Sequence, residues 1–240
     1  MPDKYLQSIT EVNPSQVSSV YGPVRSWRVG LSLGIDLLCI NSICSFNCTY
    51  CQLGSIQVRI NQRRVFVPTS KVMEDFEQSR WEDADIITFS GSGEPTLAEN
   101  LGEVITRIKL LSGKPTLVLT NGTQLHSSLV REELALSDRV YLKMDAASEE
   151  TMKRVNRPVK GVSLSRIVKS AVRFRSEYKG YLGIQMMFVY SNRDEIDAFA
   201  DILNQIKPDE VQVNSPTRPY PDAWYLASRG SHEGVDYPAK

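Results

Sequence analysis

Three of the four cysteines of this chain fall within eight residues of the stretch SICSFNCTYCQLG, as Cys44, Cys48 and Cys51. A C-x3-C-x2-C spacing concentrates soft thiolate donors, the ligands that zinc and iron–sulfur centres prefer. Structural zinc takes four ligands, and the other candidates are poorly placed. Cys39 falls within a strand-like run, where it reads as a small buried hydrophobe, and His126 and His232 are distant in sequence. A cubane [4Fe–4S] cluster normally takes four thiolates, so three leave one iron open to a ligand the protein does not supply. Compact Asn47 and Thr49 allow tight wrapping, Tyr50 stands directly before the last cysteine, and Gly54 relieves the chain beyond it. The segment therefore reads as an iron–sulfur loop, with zinc or an incidental surface cluster as the alternatives.

The elements that must position this loop alternate along the chain. Apolar, β-branched runs at Val29 to Ile40, Ala84 to Ser90, Lys114 to Gly122, Asp138 to Ala146, Gly180 to Tyr190 and Asp209 to Pro216 read as strands. Helical periodicity marks Glu99 to Leu111, Ser127 to Ser137, Glu149 to Val155, Val162 to Tyr178 and Arg193 to Lys207. This order predicts an α/β fold, a partial (open) parallel β/α barrel of about six strand–helix units. In such folds the turns after the strands line one mouth. The cysteine loop, Gly91-Ser92-Gly93-Glu94-Pro95, Asn121-Gly122, Asp145 and Asn214 all fall there.

The rest of the composition narrows the class. Of 240 residues 41% are hydrophobic, enough for a substantial core, and 28 basic residues balance 28 acidic ones. That balance excludes a global positive field, although Arg59, Arg63 and Arg64, or Arg154, Arg157 and Lys160, could contact a phosphate locally. The opening residues lack the basic-then-apolar pattern of a leader, and no apolar run reaches the roughly 20 residues that span a bilayer. The expectation is a cytoplasmic protein with no membrane partner, divided into an N-terminal arm (1–20), a core domain (21–219) and a C-terminal extension (220–240).

Cys44, Cys48, Tyr50 and Cys51 match the cluster motif of the radical S-adenosylmethionine superfamily, and GSGEP at 91–95 resembles its glycine-rich second-strand motif. Tyr21 to Pro219, through YGPVRSWRVGLSLGIDLL and CSFNCTYCQLG, resembles more narrowly the iron–sulfur oxidoreductases related to wyosine-forming tRNA-modifying enzymes. The resemblance implies a radical SAM core binding a [4Fe–4S] cluster through Cys44, Cys48 and Cys51, and S-adenosyl-L-methionine. It also implies reductive cleavage of that cofactor to a 5'-deoxyadenosyl radical, which abstracts hydrogen from an unidentified substrate, a small metabolite or RNA. An electron donor such as flavodoxin or ferredoxin would supply the electron.

On this resemblance Glu94 accepts a hydrogen bond from the cofactor's amino group, and Gly91, Ser92 and Gly93 let backbone approach its methionine portion. Tyr50 lies near the adenine, and Asn121 and Asp145 serve ribose hydroxyls or the methionine carboxylate. Plainer roles stand beside these: a capped strand-to-helix turn for Glu94 and Pro95, a buried aromatic for Tyr50, an Asn-Gly turn for Asn121, and an ion pair for Lys143 and Asp145. Gln185 and Met187 share a face of the fifth strand, where either could border the cavity, core packing being the plainer role for Met187, and Asn214, Thr217 and Arg218 reach the mouth. Wyosine-forming enzymes carry further upstream cysteines, whereas only Cys39 precedes the motif here. The alternative of another class is a non-catalytic iron–sulfur or zinc-binding electron-transfer or scaffold protein.

Overall fold

A computed structural model describes residues 17–39 and 41–216. Strands β1 (Val20–Ser26), β2 (Gly30–Ile35), β5 (Ile86–Phe89), β6 (Thr116–Thr120), β7 (Arg139–Lys143), β8 (Tyr181–Met187) and β9 (Glu210–Asn214) form one sheet in the order β1-β2-β5-β6-β7-β8-β9. β1 pairs antiparallel with β2, and the other six strands are parallel throughout. The helices are α1 (Thr69–Glu77), α2 (Leu101–Ser112), α3 (Ser128–Leu134), α4 (Glu149–Val155), α5 (Leu164–Glu177) and α6 (Ile196–Ile206), and a two-stranded pair, β3 (Ile43–Cys44) and β4 (Val58–Arg59), lies in the cysteine region. This is the mixed α/β, mostly parallel partial barrel that the alternation predicts. Among the described residues no helix is long and apolar enough to cross a membrane.

Parallel strands are covered on both faces, which is why they read as continuous apolar runs rather than as alternation. Leu33, Ile35, Ile87, Phe89, Val118, Val140, Leu142, Leu182 and Ile184 face the helices and join one core with Val104, Ile108, Phe174 and Phe199. The opposite, inner face is smaller and more polar. Ser32 bonds Thr88 at 2.7 Å, Gln185 Nε2 donates to Gln212 Oε1 at 2.9 Å, and Gly183 leaves room for the Tyr141 ring, which an added Cβ would meet at 2.4 Å.

Three aspartates secure the rim away from the mouth by one device. Each precedes a strand and accepts the backbone N–H of a residue at or near the start of the neighbouring strand: Asp85 from Leu31 (2.7 Å), Asp138 from Thr116 (2.8 Å) and Asp209 from Leu182 (2.8 Å). α4 is delimited by Ser148, whose hydroxyl accepts the Thr151 N–H at 3.1 Å, with Glu149 and Glu150 in its first turn and Lys153 and Arg154 in its last.

Two elements depart from expectation. α1 has no counterpart in the predicted set, because only Val72, Asp75 and Phe76 are buried in an otherwise polar run. β1 overlaps the expected arm: Val17 and Val20 are buried, and Ser19 donates both its N–H and its hydroxyl to Asp75 Oδ2 at 2.8 Å. Cys39 also departs, lying four residues past β2 rather than inside a strand. Asp36 Oδ1 ends the strand by accepting the N–H groups of Leu38 (3.0 Å) and Cys39 (3.1 Å), and Cys39 takes a positive φ of 31° while remaining buried in the core. The expected extension at 220–240 lies outside the described residues.

Burial raises the Asp138 carboxyl, but the Lys109 ammonium and the Thr116 N–H and hydroxyl outweigh it and hold the group below the usual range. A depressed carboxylate stabilises the fold above its unfolded pKa, about 3.9, and loses that contribution as pH falls through its folded value. Asp138→Asn should therefore cost about 1 kcal/mol near neutrality. In thermal melts the gap to the parent chain should close as pH falls through the lowered folded pKa, where the parent carboxylate is itself protonated; a gap independent of pH would contradict the assignment.

Candidate functional site

The cysteine loop is fastened to the turn after β5 by backbone alone. Ile43 N–H donates to Ser92 O at 2.7 Å, and Glu94 N–H donates to Ile43 O at 3.0 Å. A Cβ on Gly93 would stand 1.7 Å from Ile43 O, so only glycine permits the contact, and Gly93 also takes a φ of 153°. Gly91 similarly leaves space for Asp36, whose Oδ2 accepts the Ser92 N–H (3.0 Å) and hydroxyl (2.5 Å). Farther along, Asn47 N–H and Thr49 N–H donate to Asn156 O and Val155 O, both at 2.9 Å, so the loop supplies donors to the carbonyl end of α4.

These ties set the thiols beside two buried acids. Cys44 Sγ accepts from Phe46 N–H (3.4 Å) and Asn121 Nδ2 (3.5 Å), and Cys48 Sγ accepts from Asn156 Nδ2 (3.3 Å). None of the cysteines is in a disulfide. Burial, followed by the charge of Glu94, pushes the Cys44 thiol well up; burial and Asp145 push Cys48 up to about 12; burial raises Cys51. A thiolate at these positions needs a cation to form, and metal binding there would release protons.

The donor set suits a cluster. The sulfurs are close enough that Cys48 and Cys51 each raise the thiol of Cys44. Yet among the described residues no three His, Cys, Asp or Glu side chains converge on one ion. Thiolates sharing a zinc lie about 3.8 Å apart, from Zn–S bonds of about 2.3 Å at tetrahedral angles. A centre with a separate iron for each thiolate spreads its ligands and could be held here.

Glu94 is buried and heavily bonded. Oε1 accepts from Thr96 N–H (3.0 Å), Thr96 Oγ1 (2.6 Å) and Thr120 Oγ1 (2.6 Å), and Oε2 accepts from Asn121 N–H (2.6 Å). Burial nevertheless raises its pKa. The carboxylate thus caps the 3-10 turn Pro95–Leu97, as the plainer reading expects, and ties β5 to β6. Asp145 is the matching tie at β7. Its Oδ1 accepts Met187 N–H (2.8 Å) and Lys143 Nζ (2.9 Å), and its Oδ2 accepts Asn156 Nδ2 (3.0 Å) and the Tyr50 hydroxyl. Tyr50 is accordingly anchored through its hydroxyl, with Lys143 Nζ 5.2 Å from its ring centroid.

The structure brings together Cys44, Cys48, Cys51, Tyr50, Gly91, Ser92, Gly93, Glu94, Asn121 and Asp145. It uses most of the candidate phosphate contacts otherwise. Arg63 binds Thr96 O (2.9 Å), Ala98 O (2.8 Å) and Glu133 (2.5 Å), Arg59 binds Arg157 O (2.8 Å), Arg154 binds Ser191 O (2.8 Å), and Arg64 lies over the Phe66 ring. Asn214 accepts from Arg28, while Thr217 and Arg218 lie outside the described residues. Asp36, Ser45 and Asn156 are additions that the sequence reading lacks. Ser45 hydroxyl pairs with Thr123 Oγ1 (2.8 Å) and accepts from Asn121 Nδ2 (2.9 Å). An Asn after a helix, two residues ahead of Pro158, is a turn signal at most, so Asn156 carried no mark of a contact with Cys48.

A family model for the Radical SAM superfamily matches residues 38–203. The chain is 46% identical over 220 residues to a UPF0026 protein of Synechocystis sp., covering 91% of this chain and 83% of the relative. Among solved structures, TYW1 with a lysine-pyruvate adduct bound aligns at a TM-score of 0.63 and 18% identity, over 78% of this chain and 65% of that one. Native anSMEcpe with bound AdoMet aligns at 0.58 and 18%, over 75% of this chain and 50% of that one. At such identities the two structures establish a shared fold, and the chain spans less than two thirds of each.

The glycine contact gives a direct expectation. Gly93→Ala should destabilise the protein by about 3 kcal/mol or more, because the 1.7 Å overlap is with backbone and cannot be relieved by a rotamer change. Denaturant unfolding measures this, and a cost below about 1 kcal/mol would show that the loop docks differently.

Proposed function

Because the chain belongs to the radical S-adenosylmethionine superfamily, we propose that it is an enzyme in which Cys44, Cys48 and Cys51 hold a [4Fe–4S] cluster and the barrel mouth binds S-adenosyl-L-methionine. The observation that carries this reading is the meeting of three thiols, N–H donors to two of them, and the carboxylates of Glu94 and Asp145 beyond the ends of the parallel strands β5 and β7. When bound, the cluster and cofactor supply reductive cleavage of the sulfonium carbon–sulfur bond, giving methionine and a 5'-deoxyadenosyl radical that takes hydrogen from a substrate. A cytoplasmic one-electron donor of the flavodoxin or ferredoxin class provides the electron.

The chain's own groups bind and orient. Oε1 of Glu94 accepts three donors and Oε2 one, so Oε2 retains acceptor capacity for an ammonium group. Buried Glu94 and Asp145 favour a ligand carrying positive charge, as a sulfonium and an ammonium do. Asn121 and Asn156 aim N–H donors at Cys44 and Cys48 and thereby stabilise negative charge on sulfur. Tyr50, locked by Asp145, presents a fixed aromatic surface for the adenine. Gln185 and Gln212 make the inner face polar, which suits a hydrophilic substrate, metabolite or RNA.

Anaerobically reconstituted protein given dithionite and S-adenosylmethionine should release 5'-deoxyadenosine, detected chromatographically. A reducible cluster that yields none, and whose spectrum the cofactor leaves unchanged, would refute the proposal. Cys48→Ala should lose the full iron and sulfide content and the brown colour. Asn156→Ala should keep the three thiols but lower the cluster's midpoint potential in an EPR-monitored redox titration, since one N–H donor to sulfur is gone.

A further inference from the structure

A cleft of about 470 Å³ lies between α3 and α5, within the size range of small-ligand sites. His126 and Arg131 line it from the α3 side, and Arg166, Lys169 and Arg173 from α5, with serine hydroxyls between them. No carboxylate is among its lining residues. Arg131 is a structural member: it is buried, donates to Leu125 O (2.9 Å) and pairs with Glu177 (2.7 Å). Glu177 also takes Arg173 at 2.8 Å, so one acid serves two cations. Arg166 and Lys169 are exposed and have no acid partner among the described residues.

On other helices a cation meets an acid one turn away, as in Lys71 with Asp75, Arg107 with Glu103 and Arg154 with Glu150, and on α5 Arg173 does so with Glu177, whereas Arg166 and Lys169 have no such partner among the described residues. On α5, Arg166, Lys169 and Arg173 follow one another at i+3 and i+4, where like charges repel and destabilise a helix. The positive end of the 14-residue helix adds to the same field. Both walls also lead back to the cysteine loop. Thr123, whose carbonyl meets His126 Nδ1 at 3.0 Å, pairs with Ser45, and Val159, in the segment leading to α5, donates its N–H to Ser45 O at 2.9 Å.

We propose that this cleft binds a ligand bearing two or more phosphate groups, held chiefly by Arg166 and Lys169 with Arg173 and His126 flanking. Arg166 to Arg173 spans about 10 Å at 1.5 Å per residue, longer than one phosphate and matched to a short phosphate series. A free nucleotide and a polynucleotide backbone both supply such phosphates, and the test separates these sources. Binding here does not depend on the cluster chemistry and is measured without dithionite or S-adenosylmethionine.

The purified full chain is titrated with inorganic pyrophosphate and ATP by calorimetry and with a fluorescent oligouridylate by anisotropy, at low and high salt. The expected result is binding of at least one probe, weakened about tenfold or more in Arg166→Gln/Lys169→Gln and unchanged in Arg107→Gln, which removes an exposed cation on α2. If the oligouridylate is the partner, losing two phosphate contacts should flatten the plot of log affinity against log salt by about 1.4. Binding of pyrophosphate and ATP alone would identify a nucleotide. Failure of all three probes to bind at low salt, or binding indifferent to the double substitution, overturns the proposal. Circular dichroism verifies folding, and Arg166→Gln alone is read if the double variant melts early.

Discussion

The backbones of Ile43 and Gly93 lie against each other with no side chain between them, and the geometry of the site follows from that contact. Two hydrogen bonds flank the contact, from Ile43 N–H to Ser92 O and from Glu94 N–H to Ile43 O, and the 1.7 Å separation that a Cβ on Gly93 would have from Ile43 O leaves no alternative residue. The contact fixes Cys44 next to Glu94. Glu94 in turn holds Asn121, whose side chain returns to Cys44 and Ser45. A closed circuit results, from β3 to the β5 turn, to the end of β6, and back to the loop. A family motif usually read as making space for a cofactor here makes space first for the protein's own chain.

The second anchor acts at the other end of the loop, where Asn156 joins it to α4 through its carbonyl and to Cys48 and Asp145 through its side-chain amide. Together the anchors place three buried carboxylates, Asp36, Glu94 and Asp145, around a segment of neutral thiols. Burying such groups is costly unless each oxygen is satisfied, and each of the three accepts four hydrogen bonds or ion-pair contacts. Burial raises the thiols, and the charge of Glu94 on Cys44 and of Asp145 on Cys48 adds to it. The arrangement opposes isolated thiolates while remaining ready for thiolates that share positive charge.

Where sequence is a local signal, it reported the structure closely. The cysteine spacing and the GSGEP turn depend on neighbours in the chain, and α4 matched residue for residue because its Ser148 cap and its terminal charges are written at its ends. Strand cores were legible because burial on both faces leaves uninterrupted apolar runs. α1 was not, since three buried residues in nine give little periodicity. Asp36 and Asn156 were invisible for another reason: their partners Ser92 and Cys48 lie 56 and 108 residues away, and nothing in either's neighbours encodes those meetings. The basic residues misled in the same way, because Arg63 reads as a free cation until Glu133 and two carbonyls are brought to it.

A net charge of zero therefore conceals a segregated surface. Arg59, Arg63 and Arg154 are held by backbone carbonyls, Arg63 also by Glu133, and Lys143 by Asp145, so the cations nearest the thiols are fixed in structural contacts. The mouth is left with a negative bias from Glu94 and Asp145, while unpaired positive charge collects on α5. The short segments that run from Ser45 to both walls of the α5 cleft set these fields side by side. A ligand combining an anionic part with a neutral or cationic part would be oriented by the pair of fields before any specific hydrogen bond formed. A uniformly charged ligand would be repelled by one of them.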